Sequence, residues 1–396
     1  MTHDETRPPS NGRLNVGMVG YAFMGAAHSQ AWRTAPRFFD LALRPAMTAL
    51  CGRDRGKATA AAARLGWDSV ETDWKELVSR DDIDLVDICT PGDTHAEIAI
   101  AALDAGKHVL CEKPLANTVE EAEAMVAAAT RAEARGVRSM VGFTYRRVPA
   151  IVLARTLVEE GRIGEIRHIR AQYLQDWITD PEAPLAWRLQ KDRAGSGALG
   201  DIGAHIVDLT QYITGQQIST VTGLMETFVK ERPLPTEVGN LSGTGGTERG
   251  PVTVDDAAAF LARFTDGAVG VFEATRFATG RKNSIRIEVN GSRGSLAFDF
   301  EDMNVLQFYD ETEDAATAGF RRISVTDPVH AYVGAWWPPG HGLGYEHGFT
   351  HQAVDLVTAI AAEEDPRPSF ADGLAVQRVL AAVDTSATTG AWTPVD

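Results

Sequence analysis

Five short apolar runs punctuate the first 145 residues: LNVGMVG (14–20), AMTALCG (46–52), IDLVDICTP (83–91), KHVLCEKP (107–114) and RSMVGFTY (138–145). Helical patterns separate them. One begins near Met24 and runs to about Thr34, ahead of a Pro-bounded insertion, APRFFDLALRP. The others are RGKATAAAARLG, stopped by Gly66, HAEIAIAALDAG, ending at Gly106, and VEEAEAMVAAATRAEARG, closed by Gly136. Strands that alternate with helices of this length predict a parallel, doubly wound α/β sheet.

The texture changes after Tyr145. PAIVLARTLVEEG reads as one more helix. Alternating runs follow, with hairpin-type turns at Thr265-Asp266-Gly267 and Asn290-Gly291, so this half predicts a mostly antiparallel or mixed sheet. Helical patterns return at about 346–363 and 371–388. PLPTEVGNLSGTGGTERGP (233–251) is rich in Gly, Thr and Pro and reads as a mobile loop, either a plain insertion or a flap over a site. The expected organisation is a disordered tail over 1–13, a dinucleotide-binding domain over 14–145 and a substrate-binding and oligomerisation domain over 146–396.

Charge narrows the function. The chain of 396 residues carries a formal charge of −16, which argues against nucleic acid and anionic membrane as partners. No apolar run approaches the roughly 20 residues of a membrane helix, and MTHDETRPPSNGR lacks a signal core, so a cytoplasmic location is expected. Cys51, Cys89 and Cys111 each end an apolar run, as buried reduced thiols would.

The loop after the first strand reads Gly20-Tyr21-Ala22-Phe23-Met24-Gly25. It is a dinucleotide fingerprint with alanine in place of the middle glycine. Gly20 permits the turn out of the strand, and Gly25 lets the helix pack on the sheet. The extra methyl of Ala22 costs closeness, but the amides and positive end of the helix remain for a pyrophosphate. At the end of the second strand, Gly52 takes the place where an acid would hold the NAD ribose. Arg53 follows it, which leans towards the 2′-phosphate of NADP, while Asp54 leaves NAD open.

Two stretches carry candidate chemistry. Glu112-Lys113-Pro114 follows the fourth apolar run, where ligands of such sheets bind. GSGALGDIGAHIVD (195–208) places Asp201, His205 and Asp208 at helical offsets of four and three. That face suits proton transfer, a divalent metal, or a helix cap with an incidental histidine. No metal is expected here.

GYAFMGAAH, CTPGDTHAEIAIAALDAGKHVLCEKPLA and GALGDIGAHIVDL together resemble the glucose–fructose oxidoreductase / inositol dehydrogenase / rhizopine-catabolism (Gfo/Idh/MocA) family over nearly the whole chain from residue 14. AQYLQDW, WRLQKDRAGSGALGDIGAHIVDL and ERPL are similar to bacterial levoglucosan dehydrogenases within it. The resemblance implies an N-terminal Rossmann domain and a C-terminal α+β domain whose large open sheet forms a homodimer or homotetramer interface. It implies Lys113, Asp201 and His205 as catalytic residues, with Thr90, Pro91, His95 and Glu112 on the nicotinamide side and Gly20, Ala22, Phe23, Met24, Gly25 and Arg53 at the rest of the cofactor. The expected reaction moves a hydride between NAD(P) and a hydroxyl-bearing carbon of a sugar, glycoside or cyclic polyol. Redox-neutral sugar chemistry with retained cofactor, or dinucleotide sensing without turnover, are the alternatives. His205 is the preferred base, since an ordinary imidazole titrates near neutrality. Lys113 would stabilise the developing alkoxide or share the proton, and Asp201 would orient Lys113 or bind a neighbouring hydroxyl. Tyr145, Arg146, Gln175, Asp176, Trp177, Trp187 and Arg188 are suitable types for carbohydrate, with His347 a weaker candidate.

Overall fold

The computed structural model of the protein describes residues 12–238 and 243–396. It separates into two units: the chain through Thr144 with Tyr345–Ala375, and Tyr145–Gly344 with Val376–Asp396. Most of the tail assigned to 1–13 lies outside the described residues. Arg13 does not belong to it, since Arg13 already pairs with Arg44 in the first sheet.

The first unit holds six parallel strands: β1 (Arg13–Val19), β2 (Arg44–Cys51), β3 (Ser69–Glu71), β4 (Leu85–Ile88), β5 (His108–Cys111) and β6 (Ser139–Val141). Their order is β3-β2-β1-β4-β5-β6, so the winding reverses between β1 and β4. That is the doubly wound arrangement the alternation predicts, and its switch point is where such sheets bind ligands. The helices are α1 (Phe23–Phe38), α2 (Arg55–Leu65), α3 (Trp74–Ser79), α4 (His95–Asp104) and α5 (Val119–Glu133). β3 and α3 are too short for a periodic signal to reveal. α1 runs past the Thr34 end that Pro36 suggests, because Phe39 N still bonds Ala35 O and closes the last turn. Local signals set the other ends. Asp54 caps α2 through Lys57 N, Gly66 ends it with φ +88°, and Thr118 and Glu121 form a capping box on α5.

The second unit contains α6 (Pro149–Glu159), α7 (Lys191–Ala194), α8 (Ala204–Thr214), β7 (Ile166–Leu174), β8 (Ile218–Glu226), β9 (Glu231–Val238), β10 (Gly243–Pro251), β11 (Ala257–Phe264), β12 (Val269–Thr275), β13 (Ser284–Gly291), β14 (Gly294–Asp299), β15 (Val305–Asp310), β16 (Arg321–Ser324) and β17 (Thr393–Pro394). Nine of these strands form one sheet in the order β16-β15-β14-β13-β7-β12-β11-β8-β17. Only β7 and β12 pair in parallel. Buried and open positions alternate along β11 and β12, as a sheet covered on one face requires. The segment read as a mobile loop, 233–251, instead holds most of the antiparallel pair β9 and β10, and residues 239–242 between them lie outside the described residues. Backbone pairing there overrides a composition poor in strand formers.

The linear boundary at 145/146 does not describe the first unit. α9 (Tyr345–Ala362) and the start of α10 (Phe370–Thr389) belong to it. Phe349, Ala353, Leu356 and Val357 of α9 enter the same core as Leu14, Val16, Met18 and Trp32. A helix pattern shows an apolar face but not which sheet that face covers. Among the described residues no helix is long and apolar enough to cross a membrane, and all three cysteines are free and buried.

His108, at the start of β5, accepts the Arg138 backbone N–H through Nδ1 at 2.9 Å. Burial, with the Arg138 charge adding to it, pushes its pKa down to about 4. An unfolded histidine titrates near 6.5. Between those values the unfolded chain binds a proton that the folded chain refuses. Stability should therefore fall by about 3 kcal/mol as pH drops from about 6.5 to about 4. His108→Asn keeps an acceptor for the same N–H, and it should flatten this part of a urea-midpoint-against-pH curve.

Candidate functional site

In the first unit the cofactor signature is built where β1 meets α1. Gly20 has φ +100°, and a Cβ there would lie 2.7 Å from the Cys89 carbonyl oxygen. A Cβ on Gly25 would lie 2.2 Å from Gly20 O. Both outer glycines are thus demanded by backbone contact. Ala22 and Phe23 are exposed and Met24 is half-buried. Ala22 caps α1 with no side-chain hydrogen bond, and the first turn carries no acid. The leading amides are left to an anionic ligand, which fits a dinucleotide pyrophosphate.

The end of β2 shows why the usual acid is missing. A Cβ on Gly52 would lie 1.9 Å from Tyr21 Cε1, so the Tyr21 ring occupies the space. Asp54 accepts Lys57 N as the α2 cap, and Arg53 is exposed.

Beyond β4, the Thr94 hydroxyl donates to Thr90 Oγ1 at 2.7 Å, and Pro91 leads into a short turn at Gly92–Thr94. The ring nitrogens of His95 lie 2.9 Å from Thr90 O and 2.9 Å from Pro114 O. His95 therefore ties the two loops together through their backbones, rather than reaching outward. Glu112 is buried and accepts the Lys113 backbone N–H through Oε2 at 3.2 Å. His28 and Asp87 were not singled out in sequence, yet both stand beside Glu112: His28 Nε2 donates to Glu112 Oε1 at 3.0 Å, and Nδ1 to Asp87 Oδ1 at 2.9 Å. Burial opposes a charged His28, but the Asp87 carboxylate, with Cys89 adding to it, holds its pKa well above the histidine range. One signal was available, since Asp87 interrupts the apolar run LVDIC.

In the second unit, Asp201 lies within a π-helical turn, Leu199–Gly203, that runs into α8. Ala204 N bonds Leu199 O, one residue further back than in an α-helix. The simple α-helical face read from the spacing is therefore broken at Asp201. Nor does Asp201 cap α8, whose N-cap is Gly203. Asp201 accepts from Arg276 Nη1 at 3.4 Å, and Arg276 is fully buried. Asp208 is buried and accepts Arg146 Nε at 2.9 Å, so both side chains are committed to a structural ion pair. That removes Arg146 from the free carbohydrate contacts and Asp208 from a ligand set.

Around His205 lies a row of polar groups. The Tyr145 ring meets the imidazole edge-on at 4.7 Å between centroids. Tyr173 donates its single proton to Asn283 Oδ1 at 2.7 Å, so Tyr145 donates to Tyr173 at 2.9 Å. Gln175 Nε2 donates to Asn283 Oδ1 at 2.9 Å, and Trp177 Nε1 donates to Gln175 Oε1 at 3.0 Å. The Arg188 guanidinium stacks over Trp187 at 4.4 Å. Burial lowers the Arg188 pKa, with Asp201 opposing and Arg276 assisting. Asp176 is spent locally on Gly280 N and Lys282 Nζ, at 2.9 and 2.8 Å. His347 lies in α9 of the first unit, where its Nδ1 is 3.6 Å from Glu346 Oε1. Asn283 and Arg276 were missed in sequence; each sits in a run without a motif.

Comparison with known proteins places these features. The profile of the oxidoreductase family with an NAD-binding Rossmann fold matches residues 14–143, and that of the GFO/IDH/MocA C-terminal domain matches 151–297. A levoglucosan dehydrogenase of Pseudarthrobacter phenanthrenivorans is 43% identical over 387 residues, covering 96% of this chain and 98% of that one. A crystal structure of an oxidoreductase domain protein from Kribbella flavida is 72% identical with a TM-score of 0.93, over 97% of this chain and 99% of that one. A levoglucosan dehydrogenase in complex with NADH and levoglucosan is 42% identical with a TM-score of 0.90, over 97% and 99% of the two chains.

The two outer glycines and the middle alanine make opposite demands. Gly25→Ala forces the loop away from Gly20 O, so NAD+ affinity measured by calorimetric titration should fall about tenfold or more. Ala22→Gly should change it less than about threefold, because the exposed methyl holds nothing in place.

Proposed function

This chain belongs to the Gfo/Idh/MocA oxidoreductase family, and we propose that within it the protein oxidises levoglucosan or a closely related anhydro sugar, with NAD+ as the working cofactor. It is an NAD-dependent dehydrogenase of the sugar and polyol type. The observation that carries the narrower reading is the row Tyr145–Tyr173–Asn283–Gln175–Trp177 beside His205. It offers hydroxyl, amide and indole groups in one connected array. A rigid polyhydroxylated ring needs both directed hydrogen bonds and a flat apolar surface. The likeness to levoglucosan dehydrogenase over nearly the full chain supports the same reading.

Bound nicotinamide supplies the hydride acceptor. The residues proposed to hold the dinucleotide are Gly20, Ala22, Phe23, Met24 and Gly25 at the α1 terminus, Arg53 at the ribose end, and Thr90, Pro91 and Glu112, with His95 fixing their loops. His205 takes the hydroxyl proton, its ring steadied by the Tyr145 edge. The Lys113 ammonium stabilises the developing alkoxide. Asp201, held by buried Arg276, orients the hydroxyl being oxidised. Tyr145, Gln175, Trp177, Trp187 and Arg188 bind the remaining sugar surface. Arg53 is the feature that would admit NADP+, and the NADH complexes of relatives support NAD+ as the principal partner.

Assays with levoglucosan, inositols and glucose, each with NAD+ and NADP+ separately, test this. Levoglucosan with NAD+ should give the highest kcat/KM, Lys113→Ala should lower kcat by about 10²-fold or more, and Arg53→Ala should remove the use of NADP+ while sparing NAD+. Silence across the panel with cofactor bound would overturn the reading in favour of a redox-neutral enzyme or a sensor.

The open face of the nine-stranded sheet supports assembly. Leu261 of β11 is directly opposite Val271 of β12, both exposed, with Leu224 of β8 nearby in the same sheet. We propose that a second copy covers this face in a homodimer or homotetramer. Light scattering should find an oligomer for the wild type, and a monomer for Leu261→Asp combined with Val271→Asp. The buried reduced thiols are consistent with a cytoplasmic location.

A further inference from the structure

Three ionisable side chains of the first unit are buried together, and two of them, His28 and Asp87, have no part in the proposed reaction, whereas Glu112 is placed at the cofactor. Asp87 at β4, His28 on α1 and Glu112 after β5 are 0%, 1% and 4% exposed. His28 Nδ1 lies 2.9 and 3.0 Å from the two Asp87 oxygens, and Nε2 lies 3.0 Å from Glu112 Oε1. Both ring nitrogens of His28 therefore face carboxylate oxygens, one group on each side of the ring. Trp32 Nε1 and Cys89 Sγ also donate to Asp87, at 2.7 and 3.5 Å, which fixes that carboxylate from the far side. Glu112 has its second oxygen on the Lys113 backbone N–H. Gly142 packs against it so closely that a Cβ there would lie 2.7 Å from Glu112 Oε1. The phenyl ring of Phe349 covers His28 at 5.5 Å between centroids.

Such an array is a poor way to add stability. Apolar residues of similar volume serve a core as well or better than buried ions. What it does provide is direction, since each hydrogen bond fixes the next group in line.

We propose that His28 is a positioning residue for Lys113: clamped by Asp87, it fixes Glu112, and Glu112 fixes the backbone from which the Lys113 side chain departs. This rests on the role assigned to Lys113 in the proposed function. His28 touches neither substrate nor cofactor in this scheme. Its effect reaches the reaction through the hydrogen bond that Lys113 N donates to Glu112 Oε2.

The experiment compares wild type, His28→Gln and Lys113→Ala as full-length protein. Turnover is read with levoglucosan and NAD+. The position of Lys113 is read separately from the NMR signal of its ¹³C-methylated amine, assigned by its loss in Lys113→Ala. His28→Gln should lower kcat about tenfold or more, leave the KM for levoglucosan within about threefold, and shift or broaden the Lys113 signal. A lowered melting temperature with kcat and the Lys113 signal unchanged would overturn the proposal and leave His28 a core residue. Full activity in Lys113→Ala would instead overturn the role of Lys113. Without levoglucosan turnover in the wild type, the substrate reading fails, and the Lys113 signal alone decides the positioning role. Should His28→Gln not fold, Glu112→Gln read in the same two ways takes its place, with the same shift expected.

Discussion

A carboxylate without solvent at the end of a central parallel strand organises the first unit. Asp87 receives His28 and Trp32 from α1, Cys89 from just past its own strand and, through His28, Glu112 from just past β5. His28 and Trp32 are four residues apart and share a helix face, so two bonds to one carboxylate set the rotation of α1 over the sheet. With that rotation fixed, Gly25 falls against Gly20 O and must lack a side chain. Hydrogen bonds to charged groups contribute about 1.5–3 kcal/mol each, while burying each ion costs several kcal/mol. The two effects oppose one another, and what the array contributes is geometry.

The second unit uses arginine for the same purpose. Arg276 is fully buried against Asp201, and Arg146 pairs with buried Asp208. The three polar positions of GALGDIGAHIVD therefore have different fates. Asp208 is consumed by its partner. Asp201 keeps part of its surface open, with 28% side-chain exposure, and is steadied from behind. His205 is held by ring contacts, with Tyr145 edge-on and Tyr173 tilted. The π turn is what lets a residue four positions before His205 leave the α-helical register.

Elements that announce themselves by period were legible from sequence, and so was the doubly wound order of the first sheet. Short elements such as β3 and α3 were not, because three to six residues hold no period. Strands β9 and β10 were hidden because glycine, threonine and proline say turn, whereas pairing between two backbones is not written in side chains. The return of α9 to the first unit was hidden for another reason: Phe349 and Leu356 advertise an apolar face but not its destination. Of the proposed functional residues, Lys113, Asp201 and His205 came from motifs. His28, Asp87, Arg276 and Asn283 act on other residues, and sequence spacing does not show bonds that span many positions, such as the 59 between His28 and Asp87.

The altered glycine loop shows how far such a signature can bend. Its outer two positions answer to this chain's own backbone, where a methyl would sit 2.7 or 2.2 Å from a carbonyl oxygen. No neighbour can yield there, because each oxygen belongs to the turn or strand end that shapes the loop. The middle position answers only to a ligand, and an exposed Ala22 asks that ligand to stand off slightly. The same logic governs the end of β2. Gly52 is fixed by the Tyr21 ring, a residue inside the loop itself, so the character of the loop removes the acid that would ordinarily read the ribose. The two departures from the common pattern, Ala22 and Gly52, thus both adjoin one tyrosine, Tyr21.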